Sequence, residues 1–107
     1  MIQIPSNFAP TGLVERPSLS GSPYTINVDG LGLPKAPSGA VISNIGPSDT
    51  AIVYVILPGS TEPKGIPLLK GDSILLSNGQ QINQCNINYP DYSGDSQDIT
   101  ITYLQSA

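Results

Sequence analysis

The sequence predicts an all-β protein, a small antiparallel β-sandwich or small barrel of six to eight short strands, and three features lead to this class. Glycine and proline each occur 11 times in 107 residues, which excludes long helices because both residues destabilise a helix interior. Beyond residue 38 the apolar residues form short runs rich in β-branched side chains. Turn-forming residues separate these runs at intervals of roughly ten residues, as in small sandwiches. The chain length allows one domain.

The first 37 residues are predicted to form an extended Pro-rich N-terminal arm, followed by the sandwich body over residues 38–107. Six prolines at intervals of three to eleven residues prevent a helix and disfavour a central strand. The large apolar residues of the arm are isolated instead of periodic, and they are Ile2, Ile4, Phe8, Leu13, Val14 and Leu19. Flexible linkers contain few such residues. The arm is therefore expected to lie on a partner surface, and packing against its own domain is the alternative.

Strands are predicted along the chain wherever a β-branched or alternating run lies between turn-forming residues. These runs are 24–28, 39–44, 50–57, 66–69, 73–76, 81–89 and 98–104. The most continuous apolar run, 50–57, is expected to be a central strand covered on both faces. Pro67 predicts an edge strand because proline cannot donate to a ladder. Asn78-Gly79 predicts a hairpin into the strand that follows.

Alternation within two of these runs predicts which side chains are buried. Cys85, Ile87 and Tyr89 are expected on one face of a strand, with Cys85 as a small buried hydrophobe. In the last strand, Ile99, Ile101 and Tyr103 alternate with Thr100, Thr102 and Leu104. This strand is expected to bury the first set and to offer the second, Thr-rich face to water or to a neighbour.

The composition argues against an enzyme, a cofactor site and a nucleic-acid partner. The chain has no His and a single Cys, so neither a His-assisted nucleophile nor a zinc site is expected. Three carboxylates in 91–98 offer oxygen ligands, but a solvated turn is the favoured interpretation over a Ca²⁺ site. A net charge of −4 disfavours binding to phosphate backbones. Neither a signal peptide nor an apolar run long enough for a membrane span is recognisable, so no membrane partner is expected.

Three short motifs carry a resemblance to a known class of proteins. They are Ile42-Ser43-Asn44 with Gly46 shortly after, the Gly65–Gly71 turn of the form G-I-P-L-x-x-G, and the alternating strand Ile99–Leu104. Together they resemble small single-domain β-sandwich proteins of bacteriophage virions, and in particular the capsid decoration, or cement, proteins of tailed phages. The resemblance covers about 65 residues.

The resemblance implies a jelly-roll-like body with an extended arm that binds the outer capsid surface of a virion assembled in the host cytoplasm. Its expected partners are the major capsid protein and further copies of itself, with a trimer favoured over a dimer. The six apolar arm residues would bind the capsid and let the protein stabilise the head without catalysing a reaction.

A second hypothesis is a tail-fibre or head-fibre module, since such modules share the same body plan. It would recognise a host receptor or glycan through loops 58–65 and 90–97, with Tyr89 and Tyr92 as stacking platforms. A cellular carbohydrate-binding module is a third, disfavoured by the absence of Trp and the presence of one Phe.

Overall fold

The computed structural model describes residues 4–17, 24–46, 52–59, 65–88 and 98–107. Within these ranges the chain is mostly β, which confirms the predicted all-β class. The strands are β1 (Phe8–Glu15), β2 (Tyr24–Thr25), β3 (Gly39–Asn44), β4 (Val53–Ile56), β5 (Ile66–Leu68), β6 (Ser73–Leu76), β7 (Asn86–Asn88) and β8 (Ile99–Ser106). A 3-10 turn covers Val28–Gly30, and the helix α1 is one turn long (Gly79–Ile82).

The described strands form two antiparallel four-stranded sheets, with the orders β1-β8-β3-β6 and β2-β7-β4-β5. In both sheets, the strands whose numbers add to nine are neighbours: β1 with β8, β2 with β7, β3 with β6, and β4 with β5. This pairing is produced when one long hairpin is rolled into two facing sheets, which is the jelly-roll arrangement. The predicted sandwich is therefore confirmed in its jelly-roll form.

Two of these strands lie in the segment predicted as an arm. β1 pairs with β8 from Phe8 opposite Ser106 to Glu15 opposite Ile101, and β2 pairs with β7. An edge position tolerates the proline of β1, and the register shifts between Pro10 and Val14 as in a β-bulge. The arm was expected to lie on a partner surface or, alternatively, to pack against its own domain. Residues 8–15 and 24–25 pack against their own domain. The proposed boundary between arm and body at residue 37 is therefore corrected, because the jelly roll already begins at β1.

The core lies between the two sheets and consists of the inward side chains of alternate strand residues together with those of the adjoining turns. Ile99, Ile101 and Tyr103 of β8 are fully buried, as the alternation predicts, and Cys85 and Ile87 are buried as well. The remaining buried members of the cluster are Ile26, Ala40, Ile42, Val53, Val55, Leu68, Leu76 and Ile82.

β4 is central in its sheet, between β7 and β5, but it is shorter than the predicted run. Val53 and Val55 are buried, whereas Tyr54 and Ile56 on the other face are only half-buried. The expectation of cover on both faces was therefore wrong, because the sandwich has no third layer over this face in the described residues. Pro67 lies in β5 at the edge of the same sheet, as predicted.

The predicted hairpin at Asn78-Gly79 was wrong because β6 and β7 belong to different sheets. The chain must cross the sandwich between them, which a two-residue turn cannot do. Asn78 instead caps α1, where its Oδ1 accepts a hydrogen bond from the Gln81 N–H at 3.0 Å. The predicted strand 81–89 is consequently reduced to β7. Similarly, the predicted strand 24–28 ends after Thr25, and Val28 opens the 3-10 turn.

Candidate functional site

A cluster of polar side chains joins the two sheets around Glu15 at the end of β1. The Tyr103 hydroxyl donates to Glu15 Oε1 from β8, in the same sheet. The Tyr24 hydroxyl donates to Oε1 at 3.2 Å and Oε2 at 3.0 Å from β2, in the facing sheet. Glu15 follows the alternation of β1 and points inward, opposite Ile101. One carboxylate thus connects three strands and both sheets.

Both tyrosines of this cluster are held in the protonated form. Burial and the Glu15 carboxylate raise the pKa of Tyr24 to about 12. Tyr103 is fully buried, and burial together with its hydrogen bond to Glu15 raises its pKa well above the usual range. Near neutral pH, neither phenol can supply an anion or take up a proton. The cluster therefore acts as a structural link between strands.

The predicted arm residues differ in how exposed they are in the structure. Ile4 and Val14 are exposed, at 36% and 54% of their surface. Leu13 packs against the core cluster. Ile2 and Leu19 lie outside the described residues. Among the described candidates, Ile4 and Val14 are thus the two whose side chains remain accessible to a partner.

Phe8 is engaged within its own chain. A Cβ placed on Gly39 would lie 3.0 Å from Phe8 Cε1, so the ring reaches β3. Because β8 runs between β1 and β3, this ring crosses over β8. Leu104, the residue of β8 opposite Gly39, is fully buried although it lies on the outer, Thr-rich face. Phe8, which pairs with Ser106 of β8, lies on the same outer face as Leu104.

The antiparallel pairing places the inter-strand connections at two opposite ends of the sandwich. At one end the chain passes from β1 to β2, β3 to β4, β5 to β6 and β7 to β8. In the sequence, these connections contain five of the eight acidic residues against two basic ones, Arg16 and Lys70, and we call this the acidic end: Asp49, Asp72, Asp91, Asp95 and Asp98. At the other end lie the residues before β1 and the remaining connections. There Asp29 and Glu62 are matched by Lys35 and Lys64, and we call this the neutral end.

Tyr89 and Tyr92 lie outside the described residues. The segment that contains them leaves β7 at Asn88, opposite Tyr54 at the start of β4. The other loop of the receptor hypothesis, 58–65, follows the opposite end of β4, beyond Ile56. The two loops therefore depart from opposite ends of the sandwich, which argues against a single site formed by both.

Asn44 at the acidic end was not identified as a site residue from sequence, although it belongs to the Ile42-Ser43-Asn44 motif. It is 2% exposed, its Nδ2 donates to the Leu68 carbonyl at 2.9 Å, and its Oδ1 accepts from the Gly46 N–H at 3.0 Å. It therefore fastens the end of β3 to the end of β5 in the other sheet. An Asn at the end of a strand with Gly two residues later was the available signal, since this spacing is typical of a side chain that closes its own turn.

Two of the surface clefts in the described part of the chain lie at its opposite ends. One, of about 420 Å³ at the neutral end, lies between Leu33–Ser38 and the β1 and β8 residues Thr11, Gln105 and Ser106. The other, of about 410 Å³ at the acidic end, is lined by Ser43, Ser73, Thr100 and Lys70 among others. Neither brings together a nucleophile with a base.

The single thiol is buried and unreactive. Cys85 is fully buried, and this burial raises its pKa to about 11, so the thiolate is scarce near neutral pH. Within the described ranges, no three Cys, Asp or Glu side chains come together as a metal site would require. No helix among those residues is long and apolar enough to cross a membrane.

Comparison with known proteins identifies no relative. No family model, no curated protein and no solved structure matches the chain.

Proposed function

We propose that the protein is a non-enzymatic structural component of a phage virion, which binds the outer capsid surface and stabilises the head by bridging major capsid proteins. The observation that carries the proposal is the eight-stranded jelly roll, a fold common in viral capsid domains. A fold by itself does not assign a function, so the surface must supply the rest of the argument. The resemblance of the three motifs to those of decoration proteins favours the same function.

The distribution of charge suggests how the protein is oriented on the capsid. The chain enters β1 at the neutral end, where Ile4 is exposed and where the cleft beside Lys35 opens. Apolar contact is favoured where no excess charge must be desolvated. We therefore place the neutral end against the lattice and the acidic end, with its five aspartates, towards solvent. Apolar area buried by Ile2 and Ile4 would contribute roughly 25 cal/mol per Å² to attachment.

The test is reconstitution with capsids of the phage whose genome carries the gene, purified without this protein. Bound protein is measured by co-sedimentation, and head stability by the temperature of DNA release. We expect the wild-type protein to bind and to raise that temperature. The variant Ile2→Ser/Ile4→Ser should bind at least tenfold more weakly, whereas Ile45→Thr, which changes an exposed residue at the acidic end, should bind normally.

Removal of residues 1–20 is unsuitable as a test because it deletes β1 and the Glu15 link. Normal binding by the double serine variant would refute the role of the arm while leaving the capsid assignment in place. Failure of the wild-type protein to bind, together with binding to host cells, would refute the assignment in favour of a receptor-binding module. A gene position beside tail genes would also contradict it.

A further inference from the structure

The four sheet edges of the described residues differ in how well they are protected against strand addition. β1 contains Pro10 and a register shift, β2 has two residues, and β5 has three residues including Pro67. Prolines, bulges and short length all hinder the pairing of an edge with another chain. β6 (Ser73–Leu76) is one residue longer than β5, pairs with β3 without a register shift, and contains neither proline nor charge. It is therefore the unprotected edge of the described sandwich.

The backbone of β6 presents unpaired groups on this edge. The Asn44 N–H donates to the Asp72 carbonyl beside β6, and the next residue, Ile45, donates to the Asp98 carbonyl beside β8. Successive residues of β3 thus bond alternately to its two neighbours, as in any antiparallel ladder. The register pairs Ile74 with Ile42, so the same alternation directs the backbone N–H and C=O of Ile74 towards β3. The N–H and C=O groups of Ser73 and Leu75 then point away from β3, towards the open edge.

We propose that a second copy of this chain pairs its own β6 with this edge, about a two-fold axis at Ile74. Ser73 would exchange two backbone hydrogen bonds with Leu75 of the second copy, and the symmetric pair would exchange two more. Ile74 would face Ile74 of the second copy, and the two β1-β8-β3-β6 sheets would become one continuous sheet. Such an isologous contact is the commonest way for identical subunits to associate.

The surroundings of β6 favour an identical chain as the occupant. β5 and β6 are joined by the short turn 69–72 and form one side of the sandwich, where Ile66 and Leu69 are 38% and 47% exposed. Ile74, which also packs against the core, and Leu75, on the opposite face of β6, are both partly exposed. In the proposed register Asp72 faces Leu76 of the second copy, so no like charges meet although each chain carries a net charge of −4. An uncharged edge offers no attraction to a basic partner.

The first test compares two substitutions at the same position. Leu75→Pro removes an N–H that points away from β3 and leaves the β3 ladder intact, whereas Leu75→Ala removes the side chain and keeps that N–H. We expect the wild-type protein to approach twice 11.2 kDa in sedimentation equilibrium as its concentration rises. Leu75→Ala should still dimerise, and Leu75→Pro should remain monomeric over the same range. Circular dichroism establishes that both variants are folded.

The second test locates the axis without weakening the strand backbone. In a Cys85→Ala background, Ile74→Cys should form a disulfide-linked dimer on mild oxidation, since facing residues of such a pair have Cα atoms about 4.5 to 5.5 Å apart. Leu69→Cys is an equally new thiol on the same side but lies five residues from the axis, so it should not crosslink. These results would support the two-fold contact.

Three outcomes would overturn the proposal. One is a wild-type chain that stays monomeric at millimolar concentration. Another is a Leu75→Pro variant that dimerises as the wild type does. The third is a trimeric mass without Ile74→Cys crosslinks, which would favour the trimer implied by the resemblance to decoration proteins.

Discussion

The carboxylate of Glu15 has the most consequential hydrogen bonds of any single side chain described, because it accepts from Tyr24 and from the buried Tyr103. Glu15→Ala would leave the Tyr103 hydroxyl buried without this acceptor. We expect this substitution to lower the free energy of unfolding by about 1 to 3 kcal/mol. Glu15→Gln should lose less, since its amide oxygen can still accept. Urea unfolding at pH 7 measures both, and equal midpoints for Glu15→Ala and wild type would contradict the role assigned to this link.

The same cluster predicts loss of stability in alkali. The pKa of Tyr24 is raised to about 12 in the folded chain from about 10 when unfolded. Below pH 10, Tyr24 keeps its proton in both states and its contribution to stability is full. Between pH 10 and 12 the unfolded state loses its proton first, so the free energy of unfolding falls as pH rises. The burial of Tyr103 and Cys85 acts in the same direction.

Tyr24→Phe should make this alkaline decline shallower, because it removes one of the groups responsible. Tyr54→Phe is the matched control, since Tyr54 lies in β4 on the face directed away from the core. The measurement is the urea midpoint at intervals from pH 8 to pH 11.5. An identical slope for Tyr24→Phe and Tyr54→Phe would show that Tyr24 does not contribute to the decline.

At the scale of elements, the connection between β4 and β5 contains two glycines, and we expect one of them to matter more for stability than the other. Gly59 and Gly65 both have positive φ, at +76° and +81°. A Cβ at Gly59 would meet open space, whereas one at Gly65 would lie 2.5 Å from the Val55 carbonyl oxygen. Gly59→Ala should therefore cost only the backbone strain, about 1 kcal/mol. Gly65→Ala should cost at least about 2 kcal/mol more, because β5 must move away from β4.

Urea unfolding of both alanine variants measures this difference. Equal destabilisation would mean that the β4–β5 connection shifts freely, and that the close approach of Gly65 to Val55 does not fix the edge of the sheet.

Most strands could be predicted from the sequence, because β3, β6 and β8 are short runs of β-branched or alternating apolar residues bounded by turn-forming residues. The elements that could not be predicted depend on contacts distant in sequence. β1 contains a proline and isolated apolar residues, and it is a strand because β8 offers it an edge. Asn78-Gly79 has the local preference of a hairpin, but the two flanking strands pair in different sheets. Local propensity is overruled in both places by the arrangement of the whole sandwich.

The candidate site was harder to predict than the fold. Sequence pattern indicates that Phe8 and Leu13 are available to a partner because they are apolar residues in a Pro-rich segment. The structure shows that they cover Gly39 and the core instead. The role of Glu15 could not be predicted, because nothing in its immediate sequence reveals the two tyrosines that approach it from β2 and β8.

At the scale of the whole molecule, the buried Cys85 reports on global opening of the sandwich. Its thiol should be inert to an aromatic disulfide reagent at pH 8 in the native state and should react fully, one per chain, in concentrated urea. The labelling rate at intermediate urea should follow the unfolding curve measured by circular dichroism. Rapid labelling of the native protein would instead mean that the region around Cys85 opens locally.

The pairing of β1 with β8 also determines the order in which the molecule can be made. Phe8 meets Ser106, and the Thr11 hydroxyl donates to the Tyr103 carbonyl 92 residues further along the chain. Closure of such distant pairs makes folding slow compared with that of proteins rich in local contacts. A ribosome must translate β2 to β7 before it reaches the partner of β1. The first strand of the jelly roll is therefore among the last able to pair, and until then its apolar side chains are available to chaperones.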